Sequence, residues 1–139
     1  IKADIRKLEF KQKFNAVLCL DLLEHLTKEE GYELIRKSEN WAQKKVIIST
    51  PNGFLGQDEN ENNPWQTHRS GWGLDELKGL GFKVYGMNGW KGLRGYMGKL
   101  KFKPELLWLI ISHLTQKLTY HFPSHAFHLL GVKELHKSP

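Results

Sequence analysis

Two short apolar runs, Ala16–Leu20 (AVLCL) and Val46–Ser49 (VIIS), flank a single helical stretch, and this order constrains the fold more than any other feature of the chain. Continuous apolar runs of this length suit strands covered on both faces, the pattern of a parallel sheet. Between them Thr27 and Glu30 have the spacing of a capping box, and Leu34, Ile35, Ser38, Trp41 and Ala42 fall on one stripe. A helix opened by that box and laid on a sheet by that stripe gives the order strand, helix, strand, which implies a right-handed parallel crossover. Lys44 and Lys45 suit the negative end of the helix dipole, and Pro51, Asn52 and Gly53 stop the second strand. The fold class is α/β.

The rest of the chain changes character. Phe54–Trp65 contains QDENENN, an acidic stretch without periodicity that reads as a mobile loop. Ser70–Gly79 holds a short helix carrying Leu74 and Leu77, and LGFKVYGM reads as a strand entered through glycine. From Leu77 to Pro104 there is no acidic residue, while Lys78, Lys83, Lys91, Arg94, Lys99, Lys101 and Lys103 are basic. Pro104 and Glu105 begin a helix running to about Tyr120, with Leu107, Ile110, Ile111, Leu114 and Leu118 as its apolar face, and a last strand, Ala126–Val132, follows Pro123. Residues 1–139 are expected to form one domain, with 88–122 a basic loop plus helical cover.

Composition narrows the function. A net charge of +6 admits an anionic partner: nucleic acid, a phosphorylated substrate or an acidic membrane face. The single cysteine, Cys19, excludes an internal disulfide framework and points to a reducing, cytoplasmic location. It lies within an apolar strand and reads as core. The longest apolar run, Leu106–Ile111, falls far short of the ~20 residues of a membrane span. The basic segment interleaves Trp90, Leu93, Tyr96, Met97 and Phe102 with its cations, which suits the rim or lid of a substrate site. It also suits contact with an anionic lipid surface, and equally the stacking of RNA bases on aromatics beside lysines.

With these elements placed, the chain resembles the later half to two-thirds of a class I S-adenosylmethionine-dependent methyltransferase. The resemblance rests on an ordered set: ADIRKLEF (3–10), VLCLDLLEHL (17–26), TPN (50–52), HRSGW (68–72), GF (81–82) and two antiparallel strands. It implies a partial Rossmann-like fold, parallel strands followed by a C-terminal antiparallel pair, with S-adenosylmethionine as cofactor and S-adenosylhomocysteine as product. The text opens at Ile1 in mid-structure, so the chain is expected to be a fragment whose family glycine-rich first loop lies upstream. No G-x-G-x-x-G pattern occurs within it.

The resemblance assigns the strand ends. Asp4 would accept from the adenine amino group and Ile5 pack on the base, while Leu20, Asp21 and Leu22 would form the rim of the cofactor crevice. The plain reading of Asp4 is a strand-end aspartate serving a turn. Glu24 and His25 would stand on the substrate side as the catalytic pair, with His25 taking the proton of a hydroxyl acceptor. Alternatively they hold the loop and helix start through hydrogen bonds. His68 and Trp72 are assigned to the substrate. A second reading joins Asp21, Glu24, His25 and His68 as ligands of a divalent ion that polarises a hydroxyl, as in small-RNA 2′-O-methyltransferases and some quinone-pathway O-methyltransferases, where the first carboxylate is glutamate.

His121, His125 and His128 have ligand-like spacing, but an extended segment turns His125 and His128 to opposite faces, so they read as ordinary strand and loop residues. The expected activity is methyl transfer to an oxygen or nitrogen of a small-molecule acceptor, alone or as part of a longer chain. Asp21 lacks the Asn/Asp-Pro-Pro-aromatic signature of base methylation, which disfavours nucleic-acid bases without removing RNA hydroxyls. The rival is a non-catalytic binding module or a degenerate methyltransferase fragment.

Overall fold

Thr27 opens the first helix as its sequence requires. Its hydroxyl accepts from the Glu30 N–H at 3.3 Å while the Glu30 carboxylate accepts from the Thr27 N–H at 3.0 Å, and α1 runs Lys28–Trp41. The computed structural model describes residues 3–57 and 63–135. The flanking strands are longer than their apolar runs, β1 spanning Phe14–Leu20 and β2 Ala42–Pro51, and they pair in parallel. Leu34, Ile35, Ser38 and Trp41 of α1 are buried on the sheet, as their stripe dictates. Cys19 is buried among them, its sulfur 3.4 Å from the Ser38 hydroxyl.

After the short helix α2 (Leu74–Gly79), β3 (Lys83–Trp90) and β4 (Ala126–Glu134) add an antiparallel pair, giving one open sheet in the order β1-β2-β4-β3. The expected α/β class with parallel strands and a C-terminal antiparallel pair is the architecture found. Because β4 runs antiparallel to β2, its first residues lie at the C-terminal ends of the parallel strands, with His128 opposite Pro51. Residues 58–62, within the loop expected to be mobile, lie outside the described residues.

Helix α3 (Glu105–His121) has the expected length, and its apolar face turns outward. Ser112 and Thr119 are its buried residues, while Leu107, Ile110, Leu114 and Leu118 of that apolar face are exposed, and Ile111 is half-buried. The reason lies in β3. A Cβ on Gly86 would sit 2.0 Å from the Thr119 carbonyl oxygen, and one on Gly89 2.1 Å from that of Ser112, so helix and strand meet backbone to backbone.

Polar side chains of α3 then satisfy the otherwise open edge of β3. Gln116 donates to the Gly86 carbonyl and accepts from the Gly89 N–H, each at 3.0 Å, and Ser112 donates to the Asn88 carbonyl at 3.2 Å. Thr115 accepts from the Trp90 N–H at 3.1 Å. An edge strand needs such partners or it pairs with another chain.

Candidate functional site

At the end of β1 the chain turns sharply. Asp21 takes φ +48°, a left-handed conformation, and its N–H reaches both the Ser49 carbonyl and the Ser49 hydroxyl at 3.1 Å. That hydroxyl donates in turn to Asp21 Oδ1 at 2.9 Å. A single 3-10 turn, Leu23–His25, then presents Glu24 and His25. The turn is pinned from outside by the HRSGW segment: the N–H groups of Arg69 and Ser70 both donate to the Glu24 carbonyl, at 2.7 and 3.1 Å, which brings His68 against His25. The two imidazoles meet edge to face with centroids 4.9 Å apart.

Their orientation is chemically informative. His68 Nδ1 lies 2.7 Å from the Leu55 carbonyl oxygen, and His25 Nδ1 lies 3.4 Å from that of Thr67. A carbonyl only accepts, so Nδ1 carries the proton and each neutral ring keeps its lone pair on Nε2. Glu24 is 3% exposed, and its Oε2 has no hydrogen-bond partner among the described residues. Burial pushes its carboxyl up to about 7, and the nearby Asp21 charge adds to the rise while His68 opposes it. Glu24, His25 and His68 each offer one ligand atom, all within 4.8 Å of one another.

These residues line a cavity of about 560 Å³ whose far wall comes from Asn88, Arg94, Met97, Phe127 and His128. His128 Nδ1 is 3.7 Å from Asp21 Oδ1; burial holds this imidazole below its ordinary value, with the Asp21 charge pulling the other way. Asp21, Asn88 and Met97, the non-glycine residues at positive φ among those described, all line this cavity. Backbone strain of this kind concentrates at functional sites. A second cavity of about 410 Å³ shares Asn88 and Arg94 with the first and is closed by Leu109, Ser112, His113 and Gln116 of α3.

Asp21, Glu24, His25 and His68 are thus brought together, and the remaining assigned residues stand apart. Leu20 is exposed beside Asp21 and Leu22 is half-buried against the core. Asp4 caps a 3-10 turn, and the Arg6 side chain grips both its oxygens, holding the carboxyl down at about 2. Ile5 packs against the core and lines a separate, smaller cavity with Arg6 and Glu30.

Trp72 does not reach a substrate. It is fully buried, packed on Gly31, with its indole N–H donating to Ser70 at 3.0 Å and the Lys28 ammonium 3.9 Å above the ring, so its role is to lock the HRSGW segment. His128, read from sequence as an ordinary strand residue, instead faces the cavity. Antiparallel pairing of the last strand with β2 was the signal that places it there. Arg94 and Met97 belong to the basic, aromatic segment read as the rim of a substrate site, whereas Asn88 carried no local signal.

No family model matches the chain, and no curated protein matches it. Solved structures do. The chain is similar to magnesium protoporphyrin IX methyltransferase from Synechocystis PCC 6803 with bound SAH, at 15% identity and a TM-score of 0.46, over 98% of this chain and 50% of that one. The same enzyme with bound SAM matches at 16% identity and a TM-score of 0.40, over 96% and 44%. A SAM dependent methyltransferase from Archaeoglobus fulgidus matches at 14% identity and a TM-score of 0.47, over 97% and 66%. The chain spans about half the length of the first of these.

Proposed function

We propose that this chain is the acceptor-side portion of a methyltransferase, moving a methyl group from S-adenosylmethionine to an oxygen or nitrogen of a small molecule. The observation that carries the reading is the convergence of Asp21, Glu24, His25 and His68 at the C-terminal ends of parallel strands, where open α/β sheets bind ligands. The order of the sequence motifs supplies the cofactor class.

The residues present fit part of that cofactor. Exposed Leu20 and Asp21 offer an apolar wall and a carboxylate side by side, suited to a nucleoside bearing a positive sulfonium, and Leu22 supports the rim from below. Asp4 fits less directly, because an adenine amino group there has to displace one of the Arg6 donors. When bound, the cofactor supplies an activated methyl group. The protein's share is to align the acceptor and take its proton.

The Nδ1–H bonds of His25 and His68 leave Nε2 as the basic atom for that proton, and Glu24, its carboxyl raised by burial to about 7, stands in the same cluster. Hydroxyl acceptors are favoured for that reason. A second reading makes Glu24, His25 and His68 ligands of a divalent ion, favoured by the 4.8 Å cluster and by Nδ1–H bonds to carbonyls that leave the Nε2 lone pair as the ligand atom. Asp21 is committed to Ser49 and His128 and stands outside that set.

Calorimetric titration of S-adenosylhomocysteine into the chain tests the main reading. Saturable one-site binding, weakened about tenfold by Asp21→Ala, is expected from losing one charged contact of about 1.4 kcal/mol. No heat from a folded sample would overturn the reading for this chain.

A further inference from the structure

The outward face of α3 has no use in the site described. Leu106 is 71% exposed, Leu114 67%, Leu118 64% and Ile110 50%, and Leu107 and Phe122 continue the same surface. These positions follow a helical stripe opposite Ser112 and Thr119, so the apolar side is turned away from the protein along the whole helix. Its inward side is occupied by the polar contacts to β3. Rotation of the helix to bury the leucines is therefore barred by the backbone approach at Gly86 and Gly89.

Charge identifies what covers this face. Lys117 lies on α3 itself among the leucines, and exposed Lys101 leads into its first turn, where exposed Lys103 pairs with Glu105 at 2.6 Å. That lead-in is tied to the helix by the Phe102 and Trp108 rings, 4.7 Å apart, and by the Trp108 N–H on the Lys103 carbonyl. Lys91 and Lys99 are exposed in the neighbouring loop, and the segment from Leu77 to Pro104 carries no acidic residue.

We propose that α3 docks flat on an anionic lipid bilayer, its leucine and isoleucine side chains entering the acyl boundary and the surrounding lysines meeting headgroup phosphates. A second copy of the chain is a poorer occupant, because twofold contact through this face sets the lysines against one another. An anionic bilayer neutralises them and takes up the leucines together. No helix among the described residues is long and apolar enough to cross a membrane, and α3, ~25 Å long at about 1.5 Å per residue, lies along the surface instead. The cavity lined by Leu109, His113 and Gln116 borders this helix.

Sedimentation with large unilamellar vesicles tests the proposal independently of any methyl transfer. Vesicles of phosphatidylcholine with one-third phosphatidylglycerol are expected to bind the chain about tenfold better than phosphatidylcholine alone. Ile110→Glu/Leu114→Glu, whose sites are exposed, should lose about tenfold in binding with an unchanged circular dichroism spectrum, and Lys101→Gln/Lys103→Gln should lose most of the anionic preference. Equal weak binding to both vesicles would overturn the proposal. So would wild-type binding by the double glutamate variant, or a dimer in light scattering that this variant dissolves.

Discussion

His68 donates its Nδ1–H to the Leu55 carbonyl at 2.7 Å, and its ring lies edge to face against that of His25, with centroids 4.9 Å apart. A surface histidine has no need of such fixing. The bond selects one tautomer and one ring orientation, which is what a base or a metal ligand requires.

If the cluster takes a divalent ion, zinc or cobalt titrated at slightly alkaline pH should bind with one-to-one stoichiometry. His25→Ala and His68→Ala should each weaken the binding by more than about tenfold. Affinity should rise with pH through about 7, because Glu24 must lose its proton to coordinate. Unchanged binding in both variants would remove the ion and leave the imidazoles as bases.

The Asp21 and His128 pair makes a separate prediction. Burial holds the His128 pKa below its ordinary value and the Asp21 charge offsets part of that. Asp21→Asn removes the offset, so the His128 midpoint in an NMR titration should move further down. A midpoint that stays put would show that solvent screens the 3.7 Å contact completely.

What the sequence disclosed follows the range of the interactions. The capping box of Thr27 and Glu30 and the stripe from Leu34 to Trp41 involve near neighbours and stand in the structure as their spacing implied, whereas the apolar run ending at Asp21 forms β1 at the sheet edge, with Leu18 and Leu20 exposed rather than covered on both faces. His128 was hidden because its neighbours come from strand register, and register pairs it with Pro51, far away in sequence. Periodicity found the two faces of α3 but not which one is buried. That choice was made by Gly86 and Gly89, which admit only the small polar side. The aromatic of HRSGW looked like a ligand contact, yet Trp72 is the peg that holds the Glu24 turn.

The glycine approach can be tested directly. Gly86→Ala places a Cβ against the Thr119 carbonyl and the Ala126 side chain, where neither backbone nor strand can yield cheaply. A loss of about 3 kcal/mol in chemical denaturation is expected, at the upper end for overpacking. An exposed control, Gly79→Ala, has open space around its Cβ and lies at the end of α2, so it should change stability by less than about 1 kcal/mol.

Glu24 makes the chain's stability fall as pH rises. Its folded pKa, about 7, lies above the ordinary 4.5, so the folded state holds a proton that the unfolded state has already released across that interval. Below about pH 4.5 both states are protonated and the group has no effect; above about 7 the full penalty of a buried carboxylate is present. A shift of this size corresponds to on the order of 3 kcal/mol. Glu24→Gln cannot titrate, so the difference in unfolding free energy between wild type and variant should change by roughly this amount from pH 4 to pH 8, the variant gaining relative stability at the alkaline end. Denaturation curves at several pH values read it directly. A pH-independent difference would mean that Glu24 is ionised throughout, stabilised by His25 and His68, and would shift the proton-accepting role wholly to the imidazoles.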